Sequence, residues 1–430
     1  MASPRTPAVS PTPSEMLAAI ARFDALAEVQ DSYEWFVSEE DTLAEWQMEL
    51  ARIPAPPFGE AARSRWLMDR FRDLKLEDVH TDEVGNVLGL RRGTGKTTRN
   101  SKSAVRNHIA LSAHIDTVFP AGTPLNICRQ GSRLQGPGIS DNAAGVVALL
   151  AIGSILRKTK IPIAAPVLFI GNVGEEGEGD LRGMRHIFSK SPWAASIRYS
   201  LVLDGAGCDT IVAEALGSRR YEITLRGPGG HSWSDFGAPN PIQILARAIS
   251  TFSRAPVPAS PKTTFNIGVI HGGTSVNSIP ESASMRVDIR SVSMAEIERL
   301  ERALRQAIGE AVEHSALSMP RVSSSGSKRN VQLKSEITLI GSRPAGELDP
   351  NSQMLQVVRA VDEYLNNNAH VQRASTDANI PLSLGRDALA LGAGGSGGGA
   401  HTLQEWFDCN GREIGLKRIL LTVLALASGA

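Results

Sequence analysis

The chain has 430 residues, with Lys plus Arg at 45 and Asp plus Glu at 45. A chain this long buries a substantial core and divides into two domains. Its balanced charge leaves no net field to draw it to nucleic acid or an anionic membrane. Cys128, Cys208 and Cys409 are scattered and odd in number, with no C-x-x-C pair. That excludes a disulfide framework and a thiolate zinc site, and fits a reducing cytoplasm.

The opening MASPRTPAVSPTPSE has no continuous apolar core, so residues 1–13 read as a disordered leader and not a signal peptide. Ser14 to Leu50 reads as helical. Ile53 to Glu60 is a Pro-rich turn. The helical spacing of Trp66, Leu67, Phe71 and Leu74 predicts a helix after it. Asn86–Leu90 and His108–Ile115 read as strands, with a polar, basic loop between them. The run RRGTGKTT there resembles a phosphate-binding loop, but its first glycine would fall at Leu90 and no amphipathic helix follows. Nucleotide binding is therefore rejected.

After Asp141, AAGVVALLAIGSIL reads as a buried helix; Ala165–Val173 and Ser200–Gly205 read as short apolar strands. This alternation predicts an α/β fold, with a mostly parallel sheet sandwiched by helices. Functional groups in such sheets gather at the carboxyl ends of strands. From Gly217 the pattern changes to strand, helix, strand, strand, helix, strand, ending with VQLKSEITLIG. That order is a ferredoxin-like α+β domain. The chain then returns to the first domain, so the expected organisation is 14–215 and 343–430 around an insertion at 216–342. Gly392, Gly394 and Gly397 fit a dinucleotide fingerprint in form only, because too little chain remains for the binding unit. Ile419–Ala427 is apolar but far short of the roughly 20 residues of a membrane span, and reads as a closing core helix.

Five acid and histidine positions stand at predicted strand ends or glycine turns: His114 in LSAHIDT, Asp141 in GISDNAAG, Glu176 in GNVGEEGEG, Asp204 in LVLDGAG and His401 in GGGAHTLQE. Singly, each has a plain reading. His114 is a surface histidine at a strand end, Asp141 an N-cap for the helix at Ala143, Glu175–Glu176 a solvated acidic turn, and the glycines before His401 a flexible loop. Jointly, two imidazoles and three carboxylates make a ligand inventory for two zinc-like cations sharing one carboxylate. Glu175 is placed to act as a base on water. Asp116, two residues along the strand from His114, shares its face and is placed to accept the second ring N–H. Glu405 either supports His401 or faces solvent.

In these motifs and their order, from about Ile53 to the C-terminus, the chain resembles the M20 family of di-zinc metallopeptidases and deacylases. The resemblance implies that His114 and Asp204 hold one cation, Glu176 and His401 the other, and Asp141 bridges them through a loop whose Asp141–Asn142 peptide bond is cis. It implies zinc, with cobalt or manganese also compatible. Glu175 would be the general base and acid, and Asp116 the partner that orients His114. The insertion would be a lid and dimerisation domain, making the protein a homodimer. His231 in GPGGHSW would polarise the scissile carbonyl, while Asn277 and Arg290 would hold the substrate's carboxylate. Two features depart from the family pattern. Asn142-Ala143-Ala144 follows the bridging Asp where Asp and then Lys-Gly-Gly-like residues are usual, and bulky Trp233 would narrow the cleft. The expected activity is exopeptidase cleavage of di- and tripeptides. The alternatives are N-acyl amino acid deacylation and, outside enzymes, peptide binding on the same fold.

Overall fold

The computed structural model describes residues 12–94, 107–317 and 333–429. Nearly all of the expected leader, most of the polar loop with its phosphate-loop-like run, and the start of VQLKSEITLIG lie outside them. The chain forms two compact units. One takes in the chain up to Ala215 and from Gly346 onward; the other is Leu216–Ala345.

The first helical region is three helices, Pro13–Asp24, Ala27–Ser38 and Glu40–Ala51. Thr12 and Glu15 close a capping box at the first of them. The larger unit is built on one sheet. Its strand order is Glu77–Thr81, Val87–Arg91, Val167–Asn172, His108–His114, Ile197–Leu203, Asp387–Leu391, Thr210–Ala215, Gly346–Glu347, with His370–Ala374 also paired to Thr210–Ala215. His108–His114 runs parallel to both neighbours, and Asp387–Leu391 runs parallel to Ile197–Leu203. Thr210–Ala215 adds a further parallel pair with His370–Ala374, so parallel pairing prevails as the strand–helix alternation predicts, while Val87–Arg91 pairs antiparallel with both its neighbours and Gly346–Glu347 pairs antiparallel at the other edge. A parallel pair needs a long crossover, and the helix Ala143–Lys158 provides one at the centre. Near the edge only a short turn separates Glu77–Thr81 from Val87–Arg91, so these two pair antiparallel.

The central strands are apolar on both faces, as burial between helix layers requires: Val167–Asn172 is buried throughout. Every residue of the helix Ala143–Lys158 from Ala143 to Leu156 is buried too. The closing helix is Arg412–Ser428, and no helix among the described residues is long and apolar enough to cross a membrane.

A second, small sheet escaped the sequence reading. Its strands are three residues each, ordered Ser396–Gly398, Trp406–Asp408, Arg133–Gln135, Cys128–Gln130. Trp406 pairs with Gln135, which ties the His401 loop to the segment leading into Asp141.

The other unit is an antiparallel sheet in the order Thr263–Gly272, Ser282–Ser291, Gly217–Arg226, Lys334–Arg343, with helices Pro241–Phe252 and Met294–Leu317. Ile223, Leu225, Leu245, Phe252, Met285, Leu300 and Leu304 fill its core. A two-residue ladder, Gly230–His231 against Ser278–Ile279, stands apart from the sheet.

Candidate metal centre

The parallel strands deliver the site. His114 ends one strand and is in register with Asn172, the last residue of its neighbour. Glu175 and Glu176 follow Asn172 by three and four residues, and Asp204 directly follows the strand Ile197–Leu203. Strand carboxyl ends thus supply four of the acid and histidine positions.

Asp141 joins them from the loop before the buried helix, with its two oxygens facing different imidazoles. His114 Nε2 is 3.1 Å from Asp141 Oδ1 and 3.8 Å from Asp204 Oδ1. His401 Nε2 is 3.1 Å from Asp141 Oδ2 and 3.1 Å from Glu176 Oε1. The structure therefore brings all five positions together as two half-sites sharing Asp141. Ligand atoms of His114, Asp141 and Glu176 lie within 4.8 Å of one another, close enough for one cation to span them. This mixed N/O donor set suits zinc and equally cobalt or manganese.

The electrostatics agree with a cation-binding cluster. Hydrogen bonds to Asp141 and Glu176 push His401 up to about 10. Burial pulls His114 down, but the carboxylates of Asp116, Asp141 and Asp204 outweigh it and hold the imidazole well above its ordinary value. Burial pushes Asp141 up, yet His114 and His401 together hold it below the usual carboxylate range. Left to its own groups, the cluster draws protons onto its histidines to offset the acids, which is where positive ions would bind.

Asp141 is not the helix cap that it resembles when read alone. Asn142 takes that role, its Oδ1 accepting from Gly145 N at 3.0 Å. The same oxygen accepts from Gly205 N at 3.1 Å, and Nδ2 donates to Leu203 O at 2.9 Å. Asn142 thus caps the helix and stitches it to the residues either side of Asp204. The peptide bond between Asp141 and Asn142 is cis.

Asp116 does more than orient His114. The ring's Nδ1 is 3.2 Å from the Asp116 carbonyl oxygen and 3.5 Å from carboxylate Oδ1. Its carboxylate oxygens accept from Glu175 N at 3.0 Å and Glu176 N at 2.8 Å. One buried carboxylate therefore fixes the backbone of both glutamates. Both glutamate side chains are buried, which removes the solvated-turn reading.

The glycines before His401 serve close approach. A Cβ at Gly397 would lie 2.6 Å from Ser140 Oγ and 2.8 Å from Ala206 Cβ. His401 itself takes a left-handed φ of 65°, which is uncommon for a residue with a side chain.

Arg63 and Asp377 escaped the sequence reading of this centre, and Glu405 takes neither of the roles read for it, contacting the Asp141 loop instead of His401 or solvent. Glu405, fully buried, accepts from Gly138 N at 2.8 Å and from Ser140 N and Asp141 N at 2.7 Å each. Burial raises its carboxyl to about 7 against the pull of these donors. Arg63, also buried, donates to Ile53 O at 2.8 Å and Ile115 O at 3.0 Å. Burial lowers it to about 10, while Asp116 and Glu405 act the other way. Asp377 is fully buried and accepts from Asn172 Nδ2 at 2.6 Å. No sequence spacing marks Arg63 or Asp377, because they meet the site through backbone groups and distant strands.

The remaining candidates lie in the unit Leu216–Ala345. His231 Nδ1 accepts from Trp233 N at 3.2 Å and Ser234 N at 3.4 Å, so the ring proton belongs on Nε2. Ser232 N donates to Asn277 O at 3.0 Å, which brings Asn277 beside His231. Trp233 and Phe236 there are 85% and 87% exposed. Arg290 is placed elsewhere. Its strand begins at Ser282, which pairs with Arg226 near the His231 ladder, while Arg290 pairs with Ser218 at the far end. Strand rise puts the two places about 25 Å apart. Arg290 Nε donates to Asp288 Oδ2 at 2.6 Å.

Comparison with known proteins follows the same division. Residues 94–215 match the model of peptidase family M28, and residues 214–316 match the peptidase dimerisation domain of the M20 type. A probable carboxypeptidase of Ajellomyces capsulatus is 28% identical over 255 residues, 55% of this chain and 54% of that protein. The chain thus spans about half the length of that curated relative. A tripeptidase from Staphylococcus aureus shares the fold with a TM-score of 0.71 at 19% identity, over 90% of this chain and 99% of that one. The YXEP protein of Bacillus subtilis, a dinuclear metal binding peptidase from the M20 family, does so with a TM-score of 0.64 at 14% identity, over 91% and 99%. The larger unit thus matches a peptidase family model, the inserted unit matches the M20-type peptidase dimerisation domain, and the two together share the architecture of an M20 peptidase of known structure.

Proposed function

We propose that the protein is a metal-dependent hydrolase of amide bonds in small substrates, acting as an exopeptidase on di- and tripeptides. The observation that carries this reading is the division of Asp141 between two imidazole–carboxylate pairs, with Glu175 fixed beside one of them. His114, Asp204 and Asp141 would hold one divalent cation; His401, Glu176 and Asp141 would hold the other. Bound there, the cations supply Lewis acidity and a water that is acidic near neutral pH.

The chain's own groups do the rest. Glu175, buried and held through its backbone by Asp116, takes the proton of the attacking water and passes it to the leaving amine. Asp116 and the main chain keep the His114 ring oriented. His231, with its proton on Nε2, donates to the carbonyl oxygen as charge builds there. Asn277 and Arg290 bind the substrate's carboxylate, and the working form is a homodimer through the inserted unit. The peptidase names of the relatives favour peptides over N-acyl amino acids.

The test compares zinc-reconstituted wild type with Glu175→Ala on a panel of dipeptides, tripeptides and N-acyl amino acids, read by amine release. The variant should fold and bind zinc normally while losing at least about a hundredfold in turnover, the usual scale of general acid–base help. Near-normal turnover in the variant would remove Glu175 from the mechanism. Cleavage confined to N-acyl amino acids would make the protein a deacylase. A folded, metal-loaded wild type inactive on the whole panel would favour peptide binding.

A further inference from the structure

Glu405 sits four residues after His401, yet its carboxylate binds neither that histidine nor solvent. It is fully buried and collects three backbone N–H groups, those of Gly138, Ser140 and Asp141. Its own carbonyl accepts a fourth, from Gly136 N at 2.8 Å. One residue thus satisfies four donors on a six-residue stretch that ends in Asp141. The neighbouring strand pair, Trp406 with Gln135, sets the same register. On the other side Gly397 brings the start of the His401 loop against Ser140.

We propose that Glu405 is a positioning residue of the metal centre, clasping the Asp141 loop to the His401 loop so that Asp141 presents one oxygen to each half-site. The proposal rests on the metal-centre reading above for its consequence, but the clasp itself is a property of the chain. Only an acceptor-rich group fits the place. A carboxylate offers two oxygens with several lone pairs to the converging donors. A glutamine of the same shape offers one oxygen and an NH2, which would meet an incoming N–H with another donor. The Asp141 backbone would then be released from its present direction, and with it the shared geometry of the two half-sites. Arg63, buried and acting electrostatically on both Asp116 and Glu405, is the internal cation that makes two buried carboxylates tolerable behind the ligands.

The experiment uses the full chain as wild type, Glu405→Gln and, as a control, Asp362→Asn. Asp362 is another buried carboxylate; it accepts from Arg418 Nε at 2.6 Å and Nη2 at 2.7 Å and bonds none of the five ligand candidates. Three readouts are taken: zinc affinity by chelator competition, the visible spectrum of the cobalt-loaded protein, and amide hydrogen exchange across residues 136–141 after treatment with chelator. Glu405→Gln should weaken zinc binding about 10–100-fold, the usual consequence of losing a supporting hydrogen-bond partner. It should also alter the cobalt spectrum and speed exchange of the 136–141 segment at least about tenfold, whereas Asp362→Asn leaves both unchanged. Affinity, spectrum and exchange all like wild type in Glu405→Gln would overturn the proposal. If wild type binds neither zinc nor cobalt, the metal-centre reading fails, and the exchange measurement still decides whether the clasp exists. Should Glu405→Gln not fold, Glu405→Asp is taken through the same readouts. It keeps the charge but withdraws it by one methylene, so faster exchange is expected there too, and wild-type protection would count against the clasp.

Discussion

At the scale of single residues, the centre is a set of charges that compensate one another. His114 and His401 both hold protons more firmly than a free imidazole because carboxylates surround them. A cation must displace those protons, since only the neutral ring has a lone pair to give. Loading with zinc at neutral pH should therefore release about two protons for the pair of histidines, and affinity should fall steeply as pH is lowered. Calorimetry in buffers of different ionisation enthalpy reads the proton count; zinc uptake without proton release would contradict the arrangement. Asp377 gives the opposite sign. Burial pushes its carboxyl up to about 7, and neither Asp377 Oδ1 nor Asn172 Oδ1 has a hydrogen-bond partner among the described residues. A proton on Asp377 adds a donor where there are otherwise two bare acceptors. An unfolded aspartate loses its proton near pH 3.9, whereas the folded one keeps it to about 7. The stability this raised value contributes is complete below about pH 4 and lost as pH rises toward 7. Urea unfolding of the chelator-treated protein should show that decline, and Asp377→Asn should flatten it. Parallel pH curves for the two proteins would mean that Asp377 is ionised in the fold.

At the scale of elements, what was legible is what has a period. The helix Ala143–Lys158 and the strands His108–His114 and Val167–Asn172 carry long apolar runs, and their ends already pointed to His114, Glu175 and Glu176. The three-residue strands around Arg133–Gln135 and Trp406–Asp408 are too short to show alternation, so the link between the Asp141 and His401 loops was hidden. So was the job of Asn142. A D-N pair before a helix leaves open which residue caps it, and the answer depends on Leu203 and Gly205, sixty residues away. That placement has a measurable consequence. Asn142→Ala removes a cap worth about 1 kcal/mol and leaves the buried Leu203 carbonyl short of a donor at roughly 1–3 kcal/mol more. Denaturant unfolding should show a loss of about 2 kcal/mol or more together with weaker zinc binding. A loss under about 0.5 kcal/mol would mean that water or a neighbour replaces both bonds.

At the scale of the whole molecule, the decisive fact is the length of the inserted unit's sheet. His231 and Asn277 stand together by the Ser282 end of the strand Ser282–Ser291, and Arg290 sits near its other end, about 25 Å away. One copy of this unit therefore does not bring all three to a single amide bond without being refolded. If all three serve catalysis, as proposed, they must act on different sites, with Arg290 serving one and His231 another. A symmetric pair of chains provides that, because each copy's His231 then works at its partner's centre. His231→Ala and His114→Ala should each be inactive alone. After subunit exchange, a mixed dimer pairs an intact metal centre on one chain with an intact His231 on the other. A random one-to-one mixture should then recover about a quarter of wild-type activity, since half the dimers are mixed and each has one working site. With mixed dimers verified by differential tags, silence would place His231 at the centre of its own chain, or outside catalysis altogether.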